Sequence, residues 1–188
     1  MYKELIKTIA LFIAKPVKAW EYINTKNPTE NNPLHSYAYP LMGLGSLSAF
    51  IVALVNNGSN DGFQIALKEA SLLFISSFIG LYTAAFLIRI FYEKYCKEPL
   101  SFDVTIQFVV YSSSVIFIIN LFNQVTSSIF FLQIFSLYTI YIVWEGSIHF
   151  LKIEESKRAS FVLFSAFCMI LLPIAITALM KFFMPGLQ

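Results

Sequence analysis

The chain has 188 residues, of which 57% are hydrophobic and 13% charged, with 20 Phe, 10 Tyr and a net charge of +2. A soluble domain carries about 25% charged residues, so a water-soluble fold is excluded and lipid is the expected solvent for most of the chain. The near-neutral charge excludes a general nucleic-acid footprint, and the two cysteines, Cys96 in a charged loop and Cys168 in an apolar stretch, set up no disulfide framework.

Residues 1–36 read as an arm. Lys3 and Lys7 precede an apolar run, but Lys15, Pro16 and Lys18 follow it where a signal peptide would have a cleavage site. Tyr2, Leu5, Ile6, Ile9, Phe12 and Ile13 recur at helical spacing. Pro16 suits the first turn of a second short helix, which places Trp20, Tyr22 and Ile23 at headgroup level. The expectation is an amphipathic arm on the membrane surface, carried by Phe12, Lys15, Pro16 and Trp20; a short helix capping the bundle is the alternative. The polar stretch from Asn24 to Asn32 links it to the rest.

Residues 37–188 read as an all-α membrane domain of five spans, at about 37–55, 71–92, 104–122, 129–150 and 161–184. In the first, Gly45 and Ala49 form a small-xxx-small pair that lets helices approach closely. A turn-rich loop follows, in which Asn57-Gly58-Ser59 is a glycosylation acceptor only in a secretory compartment. Arg89 lies near the far end of the second span, and the third holds Gln107, Tyr111, the run Ser112 to Ser114, and Asn120. The turn from Asn123 to Ser128 makes spans three and four antiparallel neighbours. Charged loops, 93–103 and 152–160, separate spans two from three and four from five, and Pro173 is placed to kink the fifth. Five spans put the termini on opposite sides. With the N-terminus inside, 11 of the 13 Lys and Arg fall inside and only Lys68 and Lys181 outside, so the expected orientation is N-in, C-out.

Ionisable groups at membrane depth are expensive and should face other helices. Tyr138, Tyr141, Glu145 and His149 share one face of span four, and Arg89 maps to the same depth, so the five are expected as an intramembrane polar cluster. An Arg89–Glu145 pair would relieve two buried charges at once; Arg89 snorkelling to the headgroups is the alternative. His35, Glu145 and His149 map to one membrane side and have the chemistry of zinc ligands, yet no His-Glu-x-x-His element supports them and no metal is expected. Polar residues along spans three and four read as interhelical hydrogen bonds sooner than as a solute path. With no second carboxylate in the spans, no Gly-x-Ser-x-Gly and no phosphate-cradling loop, neither enzymatic activity nor a cofactor is expected.

Several pieces, in order and spacing, carry a family likeness: Lys15-Pro16-Val17-Lys18-Ala19-Trp20, Tyr39-Pro40-Leu41, Leu100-Ser101-Phe102, Tyr111-Ser112-Ser113, Phe135-Ser136-Leu137-Tyr138 and Glu154-Glu155-Ser156-Lys157-Arg158. Over nearly its whole length the chain resembles the Ypt-interacting-protein (Yip) family of five-span membrane proteins. The resemblance implies a cytosolic N-terminus, a C-terminus across the membrane and no catalytic activity. Eukaryotic members are associated with Rab-type GTPases, vesicle budding and one another. The Asp-Leu-Tyr-Gly-Pro signature and long cytosolic arm of those members are absent, and Val115 stands near the place of a proline common in the third span. The chain is thus similar to the short prokaryotic branch, and Rab-type GTPase binding is not carried over. The expected role is non-enzymatic, in the bacterial cytoplasmic membrane: binding other membrane proteins or itself, or organising the bilayer. A small-solute, ion or proton transporter using the Glu145/His149 face is the alternative.

Overall fold

The structure, a computed structural model, describes residues 2–25, 32–57, 62–125 and 133–183. The acceptor at Gly58 and Ser59, residues 129–132 of the expected fourth span, most of the arm linker and the last five residues lie outside these. The described chain is helical: α1 (Tyr2–Ala14), α2 (Pro16–Asn24), α3 (Tyr39–Asn57), α4 (Gly62–Cys96), α5 (Phe102–Ser112), α6 (Ser114–Val125), α7 (Tyr138–His149) and α8 (Glu155–Phe183). A wide π-type turn, Leu34–Ala38, leads into α3, and a tight 3-10 turn, Phe135–Leu137, leads into α7.

Among the described residues, three helices are long and apolar enough to cross a membrane: Leu34–Asn57, Gly62–Cys96 and Glu155–Phe183. Phe102–Ser112 and Ser114–Phe122 make a fourth if taken as one span bent by 44°. α4 overruns its expected ends on both sides; at 35 residues it is about 52 Å long and projects from a hydrocarbon core of about 30 Å. α8 starts at Glu155, inside the stretch read as a loop, because Glu155 suits the positive end of a helix and the loop before it is already closed. That closure comes from Leu151 N–H on the Gly146 carbonyl, Ile153 N–H on the Ser147 carbonyl and Lys152 at φ 54.

The main packing is α3 on α4 and α4 on α8, with α7 set between α8 and α2. Small residues dominate the buried face of α4, with Ser76, Ser77, Gly80, Ala84 and Ala85 at helical spacing. Between helices in lipid, close backbone approach replaces the hydrophobic effect as the source of affinity. Gly45 and Ala49 face the same contact from α3, and a Cβ on Gly45 would sit 3.6 Å from Leu73, an ordinary distance. Gly80 is tighter: its Cβ would stand 2.8 Å from the Pro173 ring, so α4 and α8 touch there almost backbone to ring.

Candidate functional site

The sequence of the arm folds into two short helices whose buried stripes converge. Leu5, Thr8 and Phe12 line one side of α1, and Pro16, Ala19, Trp20 and Ile23 line α2. Pro16 opens α2, where its missing N–H goes unused, and Lys15 at φ −148 breaks the two helices apart. Lys7 lies over the Tyr22 ring at 5.0 Å and ties them together from the outside.

Phe12 and Trp20 have no solvent exposure at all. Trp20 meets Phe12 edge-on at 5.1 Å, stacks on Phe108 at 5.6 Å and lies 5.1 Å from Phe150; Phe12 stacks on Tyr111 at 5.4 Å. The Trp20 indole N–H donates to the Ile142 carbonyl at 3.0 Å. Space for the ring comes from Gly146, where a Cβ would fall 2.7 Å from the indole and 2.8 Å from Phe108. Two further bonds flank this anchor: Tyr138 O–H donates to the Ile13 carbonyl at 2.9 Å, and Asn24 donates to the His149 carbonyl at 2.7 Å. α7 is thus held to the arm at its start, middle and end.

Of Trp20, Tyr22 and Ile23, read for the headgroup level, Trp20 and Ile23 are buried against the bundle, as is Phe12, and Tyr22 is half-buried, a packing that suits the alternative of a helix capping the bundle. The physical reason is that an indole can satisfy its N–H inside a bundle as well as at an interface, provided a carbonyl and a glycine-sized gap are present. Lys15 is exposed and Pro16 is buried. The outward face of the arm carries Lys3, Lys7, Lys15 and Lys18 together with exposed Tyr2, Ile6 and Ile13.

The polar cluster expected at the far end is divided. On α7, Glu145 and His149 are 3.4 Å apart, one turn from each other, and the Tyr138 and Tyr141 rings are 5.5 Å apart. Arg89 is elsewhere engaged: its Nε donates to Glu93 at 2.9 Å, one turn along α4, and both side chains are well exposed. The Arg89–Glu145 clamp is therefore corrected, since a carboxylate four residues along the same helix serves the guanidinium with no second helix. His35 packs its ring edge-on to Tyr39 at 5.2 Å, and among the described residues no three His, Cys, Asp or Glu side chains gather to hold a metal.

Next to the anchor, the Ser112-Ser113-Ser114 run breaks the third span. Ser113 sits at φ −79, ψ 5, and serine hydroxyls compete there with the helix ladder. The Ser114 hydroxyl donates to the Tyr111 carbonyl and accepts from Tyr37 at 2.7 Å. The tyrosine ring that stacks on Phe12 therefore belongs to the residue whose carbonyl is held at the break. Sequence reasoning missed the roles of Gly146 and Gly80; the signal available was an isolated glycine inside a helical pattern, which often marks a close approach.

The arrangement positions an arm; among the described residues it presents no nucleophile-and-base pair around a cavity. Residues 9–177 match the Yip1 domain model, a stretch that begins inside α1 and takes in the arm dock, the break and most of α8. No curated protein and no solved structure matches the chain. Members of the matched family are multi-pass membrane proteins, generally non-enzymatic and concerned with membrane trafficking. With nine-tenths of its length in that match, the chain belongs to the Yip1 domain family and is a multi-pass integral membrane protein.

Proposed function

We propose that the chain is a five-span, N-in/C-out protein of the bacterial cytoplasmic membrane that binds membrane partners, or copies of itself, and organises the bilayer around it. The observation that carries this reading is the docked arm. Trp20 secures it from beneath, which leaves Lys3, Lys7, Lys15 and Lys18, with Tyr2, Ile6 and Ile13, on a presented outer face. Cations beside exposed apolar side chains suit the anionic cytosolic leaflet or a partner lying on it. Residues 1–36 then form the contact unit and 37–188 the membrane platform. Rab-type GTPases are not among the proposed partners, because the signature that accompanies them is missing.

The helix break at Ser113 favours one other reading, since discontinuous spans recur at transporter binding sites. Against it, the described cavity at that break, about 20 Å³, admits nothing larger than water. Reconstitution into liposomes separates the two. The binding role predicts no proton or small-solute flux above empty vesicles, and cross-links to membrane protein or lipid from a photoreactive residue at Ile6. Flux that disappears in Glu145→Gln would instead establish a transporter.

A further inference from the structure

Three helices meet at their midpoints: α4 at Ser77 and Gly80, the broken third span at Ser113, and α8 at Met169 and Pro173. The cavity between them, partly open at its rim, measures about 20 Å³. We propose that this crossing is a binding site for one buried water, which bridges Ser77, Ser113 and Asn120 to the Met169 carbonyl.

The partners are present and otherwise unspent. Ser77 and Ser113 are 8% and 7% exposed, and among the described residues neither hydroxyl has a hydrogen-bond partner in the protein. Their neighbours behave differently: Ser76 donates back to the Leu73 carbonyl at 3.2 Å, and Ser114 to that of Tyr111. Asn120 also lines the cavity without a partner among the described residues. Pro173 has no N–H, so the regular helical donor to the Met169 carbonyl four residues earlier is missing.

A cavity holds a water once it offers about 10–15 Å³ and two to four polar partners; this one offers about 20 Å³ and is lined by Ser77, Ser113 and Asn120. The ligand set is neutral and mixes donors with acceptors, which suits a molecule that does both. Unpaired polar groups at membrane depth are costly, so a bridging water stabilises the break where the ladder is interrupted. Gly80 keeps the site closed on one side, because its lack of a Cβ lets Pro173 approach the α4 backbone.

X-ray radiolysis of the full-length protein in lipid nanodiscs tests this, since radicals formed from a bound water oxidise the side chain beside it. Met169 and Met42 are 2% and 4% exposed and serve as probe and control. Met169 should oxidise several-fold faster than Met42, and the difference should vanish in Ser77→Val, which fills the cavity, and shrink in Ser113→Ala, which removes one contact without adding bulk. Equal oxidation of the two methionines in the wild-type protein would overturn the proposal. So would thermal stability that rises with sodium but not with potassium or choline, which would assign the site to a cation.

Discussion

At the scale of single residues, Trp20 and Gly146 act as one unit. The indole is wholly buried, bonded to Ile142 and fitted against a residue with no side chain. Trp20→Ala should lower unfolding stability in detergent by about 3–5 kcal/mol, the usual loss for a large buried aromatic. Gly146→Ala should lower it by about 1–3 kcal/mol through overpacking. The double variant should lose less than the sum, because the new methyl enters the space the indole has left; strict additivity in the unfolding series would mean that Trp20 and Gly146 do not act as one unit. At this scale the sequence was only partly legible. Its periodicity put Phe12 on one stripe of an arm and Pro16 put Trp20 in a second short helix, but a stripe of apolar residues reads the same toward lipid and toward a bundle. What decides between them is a glycine 126 positions away in sequence, and such a distant fit leaves no local pattern. Arg89 was readable in two ways, paired across to Glu145 or reaching out to the headgroups; its partner is Glu93, one turn away, and its side chain is well exposed.

Among the helices, the contacts of α4 set the arrangement. Its small-residue face meets α3 at an ordinary distance near Gly45 and α8 at a forced one at Gly80. Gly45→Ala should therefore leave the melting temperature within a degree or two, while Gly80→Ala should destabilise by about 1–3 kcal/mol, since a proline ring cannot swing aside. Pro173→Ala should recover much of the Gly80→Ala loss, both by removing the ring and by returning a donor to Met169. Thermal unfolding of the two singles and the double decides it; no recovery would mean that the ring contact does not govern this crossing. The sequence showed Pro173 and the Gly45/Ala49 pair plainly, because both are local motifs. It did not show that the second span carries the tighter face, as Ser76, Gly80 and Ala84 look unremarkable among the aromatic residues around them. The Ser112 to Ser114 run was legible as polar and not as a break, since three serines in a helix are common and the 44° bend depends on Tyr37 and Tyr111 from outside the run.

For the molecule as a whole, composition alone showed a membrane protein, and four of the five expected spans correspond to described helices that reach membrane length, one of them as a bent pair. The fourth expected span is the exception: α7 has 12 residues, and the stretch that would lengthen it to the expected start includes 129–132, outside the described residues. The number of crossings, taken with the side that the lysines choose, is thus the claim on which the proposed role depends. An odd number separates the termini, and the positive-inside rule then assigns the lysine-rich arm to the cytosol in the proposed arrangement; an even number returns the C-terminus to the arm's side. Paired reporters fused after Gln188, an alkaline phosphatase active only outside the cytosol and a fluorescent protein that matures only within it, measure this directly. The account predicts phosphatase activity and no fluorescence, whereas fluorescence without phosphatase activity would contradict the five-span, N-in/C-out arrangement.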